Sequence, residues 1–136
     1  MHSKGLEERP ILLIAADWRE RAFILAALEE QGYDVRALPG IVVAIGFLVR
    51  RPHVRPILVI LDPSEDVDVT ERTLADLRTL TEGAPWIVIT PVTRALVGES
   101  FLSEVGATRI PRPVRVGDLI TRVEELLNKK GREGEA

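Results

Sequence analysis

The residues best placed to do chemistry are two aspartates that each end an apolar run. Pro56-Ile57-Leu58-Val59-Ile60-Leu61 is rich in β-branched residues and stops on Asp62, and Ile11-Leu12-Leu13-Ile14-Ala15-Ala16 stops on Asp17. An apolar run without polar alternation suits a parallel strand covered on both faces. In open α/β sheets, ligands bind in the crevice beyond the carboxyl ends of such strands. Asp62 is expected at that edge, where a carboxylate can take part in ligand chemistry, pair with a cation or accept backbone N–H groups. Thr90 closes a third run, Trp86-Ile87-Val88-Ile89. Glu65, Asp66 and Asp68 follow Asp62 in an acidic loop, and a solvated loop is the expected state of such a charge cluster. His53 has no second histidine nearby and His2 lies at the start of the chain, so neither suggests a metal site.

Bulk properties narrow the field. The 136 residues are the size of one domain with one core, and 46% hydrophobic with 29% charged residues is an ordinary soluble composition. A net charge of −3 gives no basic footprint, so nucleic acid is not an expected partner. The absence of cysteine excludes disulfides and thiolate chemistry. The opening residues, Met1 to Arg9, lack the apolar centre of a signal peptide, and the longest apolar run, Ile41 to Val49, is too short to span a bilayer. A cytoplasmic location with no membrane contact is the expectation.

The elements that must position these residues follow in order. After a lead over residues 1–9, the first strand ends at Asp17, and Asp17-Trp18-Arg19-Glu20 has capping-box spacing. The helix it opens is expected to put Phe23, Ile24, Ala27 and Leu28 inward, with Trp18 partly buried, and to stop at Gly32. Tyr33 to Leu38 is a short strand, and Pro39-Gly40 turns the chain. In the second helix, Ile41 to Arg50, Ile41, Ala44, Ile45 and Leu48 make the inward stripe. Val42, Val43, Phe47 and Val49 make much of the remaining surface apolar as well, which marks a helix covered on more than one side. Asp68-Val69-Thr70-Glu71 has a second capping-box spacing ahead of a helix with Leu74, Leu77 and Leu80 inside. The strand Trp86 to Thr90, a helix from Ala95 to Val105, the strand Thr108 to Ile110 and a last helix from Val116 complete the domain, 10–128. That helix is expected to end at Asn128-Lys129-Lys130-Gly131, leaving 129–136 as a frayed tail. Five strands alternating with five helices imply right-handed crossovers and a three-layer α/β fold. The flavodoxin-like strand order 2-1-3-4-5 then brings Ala15-Ala16-Asp17 beside Asp62 at the switch point.

From Pro10 to Leu127 the chain resembles the receiver domain of bacterial two-component response regulators, the CheY-like fold. The resemblance rests on the apolar first strand, Gly32-Tyr33, Asp62 at the end of strand 3, Thr90 at the end of strand 4, Gly106-Ala107 before strand 5, and Arg112-Pro113. It implies that Asp62 stands where the family carries its phosphoaccepting aspartate, and Arg112 where it carries lysine. It also implies a Mg²⁺ ion held by two acidic residues closing strand 1, but these positions are Ala15 and Ala16 here, and only Asp17 follows. Asp17 and Asp62 alone make a weak set for an ion that demands octahedral oxygen ligation. A guanidinium is not equivalent to an ammonium, Pro91 follows Thr90, and no aromatic lies between Gly106 and Arg112 to serve as the family's switch residue.

These departures point to a pseudo-receiver, a non-enzymatic signalling domain without tightly bound cofactor that acts through protein partners. In this reading Asp62 pairs with Arg112 or accepts backbone N–H groups, and Asp17 caps its helix. The second helix, through Val42, Val43, Phe47 and Val49, is the candidate homodimer surface. Two other readings stand beside it: a working response regulator phosphorylated on Asp62, and a flavodoxin-like domain that binds a small ligand in the same crevice.

Overall fold

The computed structural model describes residues 6–90 and 99–135, with 129–135 as backbone. The helix start expected at Ala95 and the role expected of Pro91 lie outside the described residues. The elements are β1 (Ile11–Ile14), α1 (Trp18–Glu30), β2 (Val35–Leu38), α2 (Ile41–Arg50) and β3 (Leu58–Leu61), followed by α3 (Glu71–Leu80), β4 (Trp86–Thr90), α4 (Glu99–Val105), β5 (Thr108–Pro111) and α5 (Val116–Glu135). All strands are parallel, in the order β2-β1-β3-β4-β5. The flavodoxin-like, CheY-like fold is therefore the observed one.

The apolar strand runs have the composition they do because both faces of the sheet are covered. Successive residues of β1 and β3 point to opposite sides. Leu12, Ile14, Val59 and Leu61 pack with Ala44, Leu48, Leu74, Leu77 and Leu102 from α2, α3 and α4. Ile11, Leu13, Leu58 and Ile60 pack with Ile24, Leu28, Leu119 and Val123 from α1 and α5. Full burial of a leucine or isoleucine contributes about 1.5–3 kcal/mol, so these two layers carry the fold. Register sets Ile14 against Leu61, and the Asp62 amide donates to the Ile14 carbonyl at 2.9 Å. This contact fixes Asp62 beside the end of β1.

Several local expectations are corrected. Phe23 does not face the core: it is 63% exposed, and Ile24, Leu25 and Leu28 make the inward contacts. Trp18, expected to be partly buried, is also 63% exposed and lies under the Arg19 guanidinium, 5.3 Å from its ring. α1 is apolar on both sides, so its periodicity does not choose a face. The cap of α3 is Thr70, whose hydroxyl accepts from the Thr73 amide while Thr73 Oγ1 accepts from the Thr70 amide. The box sits two residues later than the Asp68-Glu71 spacing suggests, with threonine doing the reciprocal work. α5 continues through Gly131 to Glu135.

Asp66 is no free member of a solvated loop. Gly40 caps α2 with no side chain, and Asp66 Oδ2 instead accepts from the Ile41 amide at 2.9 Å. A methyl group at Gly40 would lie 3.3 Å from that oxygen, so glycine leaves room for the carboxylate. The negative charge meets the positive end of the helix dipole. At the other end of the sheet Glu8 bridges to Val54 and accepts from Arg36 at 2.6 Å, with His53 Nε2 3.0 Å from its second oxygen.

Candidate functional site

The carboxyl edge of the sheet gathers residues from three connections. Asp62 follows β3 directly and is 2% exposed. Its Oδ1 accepts from the Ser64 amide at 2.9 Å, a local turn that holds one oxygen. Its Oδ2 accepts from Nη2 of Arg112, which follows β5 and reaches across the end of β4. The backbone prepares this reach: Thr90 pairs with Pro111, and the Arg112 amide donates to the Thr90 carbonyl at 3.1 Å.

Arg112 does more than pair with Asp62. Nη1 and Nη2 grip the two oxygens of Glu20 at 3.0 and 2.9 Å, and Nε donates to Ser64 Oγ at 3.2 Å. The fork geometry of a guanidinium allows this bidentate grip together with a third and fourth bond, which the point donor of a lysine could not reproduce. Glu20 was expected to close the capping box at the start of α1. Asp17 makes its half of that box, accepting from the Arg19 and Glu20 amides at 2.9 and 3.2 Å, but the Glu20 side chain turns to Arg112 instead. Sequence reasoning missed Glu20 because its partner lies 92 residues away.

A second guanidinium sits at the end of β1. Arg21 Nη1 donates to the Ala15 carbonyl at 2.8 Å and lies 3.4 Å from the Ala16 carbonyl. The two positions where the resemblance implies carboxylates therefore offer methyl side chains and carbonyls that an arginine already satisfies. Asp17 is exposed and occupied as a cap. The structure thus brings Ala15, Ala16, Asp62, Thr90 and Arg112 to one edge, with Asp17 at its rim.

The donor set does not fit a divalent cation. Mg²⁺ needs six oxygen positions at close to octahedral angles, usually including one or two available carboxylates. Here the buried carboxylate is bound to a guanidinium, and among the described residues no three His, Cys, Asp or Glu stand together in a way that could hold an ion. Burial, and then the neighbouring Glu20 carboxyl, push the Asp62 carboxyl from 3.8 up to about 6, while the Ser64 amide and Arg112 pull the other way. Glu20 goes down: burial opposes ionisation there, but hydrogen bonds to Asp62 and Arg112 outweigh it. Burial likewise disfavours charge on Arg112, and the two carboxylates overcome it and raise its pKa.

The apolar residues that led α2 to be expected covered on more than one side do not all find cover. Val42, Val43 and Val49 are exposed, whereas Phe47 is half-buried against the core and covered by the Arg51 guanidinium, 4.4 Å from its ring. Among the described residues no helix is long and apolar enough to cross a membrane.

With this geometry in hand, comparison with known proteins gives one consistent answer about fold. No family model and no curated protein matches the sequence. Among solved structures, the chain is similar to a CheY-like response regulator receiver domain from Methanospirillum hungatei JF-1. The TM-score is 0.77 at 22% identity, over 93% of this chain and 99% of that one. It is similar to NtrX from Brucella abortus, with a TM-score of 0.73 at 19% identity, over 94% of this chain but 28% of that one. A third structure, described as adenylate cyclase from Rhodopirellula baltica, has a TM-score of 0.78 at 12% identity, over 96% of this chain and 94% of that one. The fold is that of receiver domains.

The shifted carboxyl makes a signed prediction. The native state holds the Asp62 proton up to about pH 6 and the unfolded chain only to about 3.8. This group's contribution is therefore full below the lower value and lost as pH rises through the upper one. Denaturant unfolding of the wild type and Asp62→Asn should show their stability difference moving in favour of the wild type as pH falls through that window. Movement in the opposite direction would show that Asp62 is not the group raised by burial.

Proposed function

We propose that this chain is a cytoplasmic pseudo-receiver: a non-enzymatic signal-transduction module that binds other proteins and keeps Asp62 out of phosphoryl chemistry. The observation that carries this reading is the ion pair between buried Asp62 and Arg112, reinforced by Glu20. An aspartate that attacks a phosphoryl group needs a free oxygen, an approach path and a cation to offset the transferred charge. Both Asp62 oxygens already accept hydrogen bonds, its side chain is almost wholly buried, and the neighbouring carboxylate is held by the same arginine. Alanine at positions 15 and 16 further reduces the charge available for a metal.

The output surface is the outer side of α2. Val42, Val43 and Val49 present branched apolar groups to solvent on one helix. A second copy of the chain is the occupant we assign to it, because a two-fold contact pairs the same apolar patch with itself and buries both at once. The Asp66 cap joins the start of this helix to the loop that follows Asp62, so the site and the surface share a rigid connection.

Two measurements test the reading. Intact mass after incubation with acetyl phosphate and Mg²⁺ should show no phosphoryl adduct; a Mg²⁺-dependent adduct that disappears in Asp62→Asn would make the chain a working response regulator instead. Light scattering should give a dimer for the wild type and a monomer for Val43→Glu. A monomeric wild type at high concentration would remove the second copy from the account.

A further inference from the structure

The poor fit of a divalent cation raises the question of what neutralises the buried carboxylate. We infer that Arg112 is the built-in cation of this site, a positioning residue whose guanidinium takes the place of a metal between Asp62 and Glu20. This deepens the reading in which Asp62 takes no phosphoryl group, and rests on it.

Two carboxylates, Asp62 and Glu20, face one another across the carboxyl edge, and Asp17 adds a third negative charge at the rim. Like charges repel even at an effective dielectric constant near 20, and a cation between the two carboxylates offsets that repulsion. Arg112 supplies it from a loop on the far side of β4, contacting Asp62 at a sequence separation of 50 and Glu20 at 92. All three guanidinium nitrogens are used: Nη1 on Glu20, Nη2 on Glu20 and Asp62, and Nε on Ser64. Four of its five N–H donors are thus engaged, and the side chain is 26% exposed.

The neutral oxygens of the same edge are also taken. The carbonyls of Ala15 and Ala16 would be acceptors for any ion entering beside Asp62, and Arg21 faces both of them. Two arginines thus satisfy the carboxylate and the carbonyl oxygens that a metal would need. An arginine cannot give up its proton at accessible pH. The Asp62 carboxylate therefore has a permanent cation beside it, where a bound ion would come and go with its concentration.

A structural brace and a built-in cation make different predictions about added Mg²⁺. Thermal unfolding would be followed for the wild type, Arg112→Ala, Arg112→Lys and Arg112→Ala/Glu20→Gln, with Mg²⁺ at about 10 mM or sodium at matched ionic strength, since an ion that binds only the native state raises its stability by mass action. The wild type and Arg112→Lys should be indifferent to Mg²⁺. Arg112→Ala should melt below the wild type and regain part of the loss in Mg²⁺ but not in sodium, and Glu20→Gln in that background should abolish the recovery. Should Arg112→Ala fail to fold, Arg112→Gln gives the same readout with a donor retained. Stabilisation of the wild type by Mg²⁺ equal to that of the alanine variant would overturn the inference. So would an alanine or glutamine variant that is destabilised yet gains nothing from Mg²⁺, since that is the behaviour of a brace. A phosphoryl adduct on the wild type would end the reading beneath it, whereas an unmodified wild type with a Mg²⁺-silent variant ends this inference alone.

Discussion

The ion pair between Arg112 and Asp62 is the constraint on which the carboxyl edge depends. A carboxylate taken out of water costs several kcal/mol unless it is paired and hydrogen-bonded, and removing one partner of such a pair typically costs about 3–5 kcal/mol. Asp62 is buried because its strand is buried: the amide that follows Leu61 still pairs with Ile14, so the side chain cannot swing clear of the sheet. The cation must come to it. Arg112 is delivered by β5, and by also gripping Glu20 and Ser64 it ties the first turn of α1 and the β3–α3 and β5–α5 connections together. One side chain thus joins three segments of the carboxyl edge.

That arrangement connects residue types that look unrelated in the sequence. Alanine at 15 and 16 places no carboxylate there to compete with Asp62 for the arginine. Arginine at 112 provides a fork wide enough for two carboxylates. Beyond the site, Ser64 and Asp66 carry the same rigidity to α2, since Asp66 accepts from the first amide of that helix while its own amide donates to the Pro63 carbonyl. The exposed valines of α2 thus stand on a helix whose start is anchored to the Asp62 loop.

Much of this was legible in the sequence because it is local or periodic. Unbroken apolar runs specify strands buried on both faces, and alternation with helices specifies the parallel order, which puts Asp62 next to the end of β1. The pairing of Asp62 with Arg112 was one of the arrangements the residue types allowed. What could not be read is what depends on distance or on competition between faces. Glu20 has correct spacing for a capping box, yet its carboxylate turns to a half-buried guanidinium rather than to the backbone amide. Asp66 looks like one charge among several until the fold brings α2 to it. Phe23 fits an inward stripe as well as an outward one because α1 is apolar on both sides, and only the packing of Ile24 and Leu28 decides. At α3 the glutamate pattern drew the eye to Asp68, whereas the box is built from two threonines.

The most direct test is a double-mutant cycle between Asp62→Asn and Arg112→Gln, measured by urea denaturation at neutral pH. If the buried pair holds the edge together, Arg112→Gln alone should lose about 3 kcal/mol or more, because it leaves the Asp62 carboxylate buried without its cation, and it should lose far less in the Asp62→Asn background. Losses that add within about 0.5 kcal/mol would mean that the two residues act independently, and the account built on their pairing would fail.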